Sequence, residues 1–125
     1  ITPTTYADDT EDIEEEIGEL AIDMHETPKE IVVQAFIAGV PNEHLGVTIS
    51  RDSITISGKR EESKVHHTAT THIKELYWGA FERTIELPDE VDVDASEALE
   101  KHGMLIIKMP KIDKGRKTTL KVKPL

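Results

Sequence analysis

The stretch Trp78-Gly79-Ala80-Phe81-Glu82-Arg83-Thr84-Ile85-Glu86-Leu87-Pro88 alternates with a period of two. Phe81, Arg83, Ile85 and Leu87 fall on one side, and Glu82, Thr84 and Glu86 on the other. That period belongs to a β-strand with one face against a core and one in water. Pro88 and the acids after it end the run, because proline has no N–H to give a sheet ladder. Arg83 is the odd member, a guanidinium in phase with three apolar side chains. Such a charge is costly to bury unless it is paired.

The same period runs outward in both directions. Upstream, Leu20, Ile22 and Met24 alternate with Ala21, Asp23 and His25, and Thr27-Pro28-Lys29 makes a turn. Ile31, Val33, Ala35 and Ile37 share the next inner face, while Val32 and Phe36 lend the other face apolar character. Gly39-Val40-Pro41-Asn42 breaks that strand. Leu45, Val47 and Ile49 follow, then a turn at Arg51-Asp52, then Ile54 and Ile56 before Gly58. Downstream, Met104 to Met109 is an apolar strand closed by Pro110. Short alternating strands separated by turn residues predict an all-β, immunoglobulin-like β-sandwich. Glu61 to Thr71, rich in charge, histidine and threonine, reads as a loop. Ser96 to His102 has the propensity of one helical turn, stopped by Gly103. Nothing repeats at a fixed period, which argues against a solenoid.

With 125 residues there is room for one core, and no cysteine is present for a disulfide or thiolate site. No apolar run approaches the roughly 20 residues needed to span a bilayer, and no signal-peptide pattern is visible, so a cytoplasmic protein is expected. The net charge of −10 is uneven. Asp8, Asp9, Glu11, Asp12, Glu14, Glu15, Glu16 and Glu19 load the first nineteen residues, which contain no Lys or Arg. From Lys111 to Leu125 there are six bases and only Asp113 as an acid. The division expected is an acidic, flexible arm over 1–18, a sandwich over 19–112 and a tail over 113–125. Ile13, Ile17 and Leu20 are spaced like a helix face, but neighbouring acids would fray it. The chain begins at Ile1, not Met, so a longer N-terminal segment is expected. The overall balance argues against nucleic acid as the main partner, and the short basic tail is read as solvated, with nucleic acid or an acidic membrane a poor second, so no membrane is expected as the main partner.

The motifs of catalysis are missing. Gly115-Arg116-Lys117-Thr118 lacks the upstream glycine of a phosphate loop, no serine sits in a G-x-S-x-G, and His25-Glu26 has no second histidine four residues on. His66, His67 and His72 lie in or beside the loop, where zinc would need three or four ligands fixed by surrounding contacts. Asp89, Glu90, Asp92 and Asp94 lack the glycine and spacing of an EF-hand. Neither a cofactor nor an enzymatic role is expected.

Several motifs resemble the α-crystallin domain of small heat-shock proteins over about Glu19 to Lys111. The strand around Leu20 to Thr27 is similar to the family's opening strand. Ala38-Gly39-Val40-Pro41 stands at the family's turn, and Ile54-Thr55-Ile56-Ser57-Gly58-Lys59-Arg60 resembles L-x-I-x-G-x-R. Gly79 to Pro88 follows G-x-F-x-R-x-[FIL]-x-L-P, and Ala98, Gly103 and Leu105 reproduce A-x-x-x-x-G-x-L. The order of the five carries the resemblance. Met104 stands where valine is usual and His102 where asparagine is common, and the arm is short and acidic with Tyr6 its only aromatic.

The resemblance implies an ATP-independent holdase that keeps unfolding client proteins in solution. It implies a homodimer formed by strand exchange, in which roughly Ala69 to Leu76, with Thr71, His72, Ile73, Lys74 and Glu75 at its centre, pairs with the neighbouring sandwich. Arg83 would then meet an acid across the dimer, the alternative being a partner in its own chain. Leu120-Lys121-Val122 resembles the family's I-x-I anchor, through which dimers build higher oligomers. Its groove is expected between the strand of Leu45, Val47 and Ile49 and the segment of Ala98 and Leu99. Two such side chains give roughly 3–5 kcal/mol before ordering costs, enough only when repeated around an assembly. The rivals are a CS-type sandwich co-chaperone for one folded partner, and a metal- or ligand-binding sandwich using the loop histidines. If Arg83 serves the dimer, Arg83→Ala should shift dimer toward monomer in analytical ultracentrifugation. An unchanged dimer would remove that role.

Overall fold

In the computed structural model, which describes residues 2–7, 14–62, 68–115 and 117–125, strands form two sheets around one core. Sheet A contains β1 (Thr2–Ala7), β2 (Glu14–Glu19), β7 (Gly79–Glu86), β6 (Ser53–Arg60) and β5 (Leu45–Ile49), in that spatial order. Sheet B runs β3 (Asp23–Glu26), β4 (Glu30–Phe36), β9 (Met104–Pro110) and β8 (Glu97–Lys101). A 3-10 turn, Asn42–His44, leads into β5. This is the expected all-β sandwich.

The alternation read from the sequence sets the register. In β4 and β9, Ile31 pairs with Met109, Val33 with Ile107 and Ala35 with Leu105, and all six are buried. In β6 and β7, Ile54 pairs with Ile85 and Gly58 with Phe81. A Cβ on Gly58 would come within 2.6 Å of the buried Phe81 ring, so glycine is what lets that ring lie against β6. Leu20 and Val91 complete the core, with Leu45, Val47, Ile49 and Leu87 packed on its margin. No polar or charged residue is buried among the described residues.

Two expectations change. The acidic arm, expected to be flexible with at best a frayed helix, carries strands among the described residues: β1 and β2 pair antiparallel, and β2 runs parallel to β7 through Ile17, Gly18 and Glu19. Pairing with an existing sheet supplies backbone bonds that an isolated helix of repelling acids lacks. Ile13 and much of the 61–71 loop lie outside the described residues.

The second change is at Ser96 to His102, where Glu97–Lys101 is a strand, fully exposed yet held by five register positions on β9. Glu, Ala, Leu and Lys are good helix formers, but local propensity is a weak determinant and tertiary pairing overrides it here. The turn explains the choice. Lys101 pairs with Met104, and the two residues between, His102 and Gly103, have φ of 53° and 80°. Positive φ at both central positions makes the primed turn whose twist matches a hairpin. A Cβ at Gly103 would also sit 3.0 Å from Ala38 Cβ. Gly103→Ala should therefore cost about 1–2 kcal/mol in urea unfolding, whereas His102→Asn should stay within about 0.5 kcal/mol. An unchanged midpoint for Gly103→Ala would contradict this turn.

Candidate functional site

Each sheet ends in strands with one unpaired side. Leu20, Ala21 and Ile22 join β2 to β3 and so link the sheets on one side. β5 and β8 are the last strands of their sheets on the other side. Leu45, Val47 and Ile49 pair with Gly58, Ile56 and Ile54 and share their inward face. Ala98 pairs with the buried Ile107 and faces the same way. Leu99 pairs with Ile106 and therefore faces out of the sandwich, so Ala98 and Leu99 do not line one wall.

Leu120 and Val122 are 82% and 92% exposed, so neither is buried against the chain's own groove. The tail leaves from a fixed point. The Lys111 amide donates to the Lys29 carbonyl at 2.8 Å, and the Ile112 amide to Glu90 at 3.1 Å. Lys111 Nζ lies 2.7 Å from Glu26, and Lys114 Nζ lies 3.1 Å from Asp89 and 3.7 Å from Glu90. Glu90 also receives Arg51 at 2.7 Å. Such exposed pairs are each worth little. Together they tie β3, the segment after β7 and the tail's origin to one corner.

Thr71, His72, Ile73, Lys74 and Glu75 are exposed and outside any strand of the single chain. Ile73 and the adjoining Leu76 are 77% and 72% exposed, while Lys74 pairs with Glu62 at 3.0 Å. β3, the outer strand of sheet B, is exposed along its whole length. Beside it, Ala21, Ile22, Asp23, Ala35, Phe36 and Met104 surround a cavity of about 150 Å³, with Phe36 largely exposed at its mouth. That volume suits a side chain, not a drug-sized ligand.

Arg83 takes the inward phase opposite Ile56 but reaches past the core to the crossover between the sheets. Its Nη1 donates to the Leu20 carbonyl at 3.1 Å and lies 3.3 Å from Glu19 Oε1, with a third of the side chain exposed. This is the in-chain partner considered above. Tyr77 was not singled out by any motif, yet its hydroxyl accepts the Gly18 N–H at 2.9 Å and donates to the Ala80 carbonyl. No sequence pattern signals a contact across 59 residues. Among the described residues no group of three His, Asp or Glu is arranged for a metal. His66 and His67 lie outside the described residues. No described helix is long and apolar enough to cross a membrane.

The Hsp20/alpha crystallin family pattern matches residues 23–123. Small heat shock protein C4 of Rickettsia felis is 33% identical over 100 residues, covering 80% of this chain and 61% of that protein. Heat shock protein 16 of Schizosaccharomyces pombe is 32% identical over 103 residues, covering 79% of this chain and 72% of the relative. Among solved structures, heat shock protein 16.0 from Schizosaccharomyces pombe superposes with a TM-score of 0.73 at 28% identity, over 86% of this chain and 77% of that one. A small heat-shock protein from Xylella fastidiosa, described as having a distinct high order structure, gives 0.70 at 27% identity, over 84% and 96%. The chain spans only about three-fifths of the Rickettsia protein's length.

The ion-pair corner makes a pH prediction. The Lys114 hydrogen bond, with the Glu90 amide behind it, holds the Asp89 carboxyl below the ordinary aspartate range, and Asp89 in turn raises Lys114. A depressed carboxyl stabilises the fold above its unfolded-state pKa of about 4 and loses that contribution as pH falls through the lower folded value. Side-chain NMR titration should place Asp89 below free aspartate, and Lys114→Ala should move it up. An Asp89 midpoint unmoved by Lys114→Ala would contradict the pairing.

Proposed function

The chain belongs to the Hsp20/alpha crystallin family, and on that premise we propose that it is an ATP-independent holdase chaperone that binds unfolding proteins through exposed sheet edges and apolar tail residues. Ile73, Leu76, Leu120 and Val122 carry this reading: all four are apolar and exposed outside the core, in a chain whose sheets end in open edges. Exposed edges and apolar side chains attract other chains. In this proposal they are used first by other copies.

The segment around Thr71, His72, Ile73, Lys74 and Glu75 adds as a strand to a neighbour's sheet and forms a homodimer. Its lack of any strand partner within its own chain supports that use. Leu120 and Val122 seat in the cleft of Leu45, Val47, Ile49 and Ala98 of another dimer, and the assembly grows through avidity. The likeness to a structure described as high order supports assembly beyond a dimer. Heat releases these modest contacts, and clients take the freed apolar surface as a population shift. Recognition is broad because apolar burial is non-directional. No catalytic step or cofactor enters this proposal, and the setting proposed is the cytoplasm.

Light scattering from a heat-unfolding client protein, without nucleotide, tests the proposal. Suppression at near-stoichiometric ratio is expected, and the double change Leu120→Ala with Val122→Ala should reduce both assembly size and suppression. A folded protein that leaves client aggregation untouched would contradict the holdase reading.

A further inference from the structure

β7 pairs with β6 through eight positions but with β2 through only three, Ile17 to Ala80, Gly18 to Phe81 and Glu19 to Glu82. Beyond Glu82, no described strand pairs with β7 on that side. The pairing that exists is weakened at its end, where Glu19 and Glu82 sit directly opposite each other; like charges in that position repel. It is held by the Gly18 N–H on Tyr77, by the Leu20 N–H on the Glu82 carbonyl at 3.4 Å, and by Arg83 on Leu20 and Glu19. Gly18 is buried at the centre of this contact and Ile17 is half-buried.

We propose that the β7 edge from Gly79 to Glu86 is a second docking surface, covered in the resting chain by its own β2 and taken, when β2 lifts, by an extended segment of an unfolding protein. This rests on the holdase reading and names one of its surfaces. The chain's own segment defines what fits: a strand running parallel to β7, with a small residue where Tyr77 meets it and an apolar residue just before, as Ile17 precedes Gly18. Tyr77 stays on the β7 side when β2 leaves, so its hydroxyl is free to accept an N–H from the incoming strand. The uncovered edge offers eight residues where β2 uses three, so a longer occupant can displace a short one.

The test uses a labelled peptide of residues 14–22 added to the whole chain. Gly18→Pro removes the N–H that Tyr77 accepts and leaves β7 unaltered. Apparent peptide affinity should rise about fivefold or more, because the fraction of open edge rises and one hydrogen bond is lost from the closed state. The chain has no cysteine, so Glu19→Cys with Glu82→Cys gives a single clean staple across the paired positions. The oxidised staple should bind no peptide, and reduction should restore binding. A peptide carrying proline at position 18 should fail on every protein. Equal peptide binding by wild type, Gly18→Pro and oxidised staple would overturn the proposal, whatever the chain does to aggregation. Binding in the predicted order without aggregation suppression would uphold the edge and reject the holdase reading.

Discussion

Two open sheets can close an apolar core between them, yet each must still end in strands whose outer backbone groups have no partner. Here the core is settled by the paired inner faces of β4 with β9 and β6 with β7. Those four strands are interior, and their buried residues point at each other. What remains chemically unsettled is the rim: β1, β3, β5 and β8, the uncovered part of β7, and the two segments that carry exposed Ile73, Leu76, Leu120 and Val122. A monomer with such a rim is prone to associate. The proposed chaperone turns that liability into controlled association, first with copies of itself and then with unfolding chains.

Arg83 shows how core and rim are connected. Alternation sends it inward beside Ile56, where a lone charge would be destabilising. It escapes the penalty by reaching the Leu20 carbonyl and Glu19, at the place where the chain passes from one sheet to the other. The same guanidinium thus holds β2 near the β7 edge.

The interior strands were legible because β4, β6 and β7 carry a period of two and β9 is an apolar run closed by Pro110, and Ile31, Val33, Ile54, Ile56, Ile107 and Met109 are buried as that pattern requires. β8 was not legible. Its residues Glu97 to Lys101 are all exposed, so no apolar period marks them, and only the turn at His102-Gly103 and the pull of β9 make them a strand. The pairing of Ile17 to Glu19 was hidden for a related reason: acids dominate the arm's pattern, while the β7 edge that these residues join is some sixty positions away. Leu45, Val47, Ile49 and Ala98 take the inward face expected of a groove. Leu99 does not, and strict alternation beside Ala98 already contained that answer. The partners of Arg83 and the role of Tyr77 depend on contacts between distant segments, which one sequence does not encode in any local pattern.

Amide hydrogen exchange on the chain, alone and mixed with a heat-unfolded client without nucleotide, tests most directly whether function resides at the rim. Inner strands β4, β6 and β9 should keep the same protection in both samples. Protection should change at β3, β5, β8, the 71–76 segment and the tail around Leu120 and Val122. Client binding accompanied by changes in the inner strands, with the rim unaffected, would contradict the account.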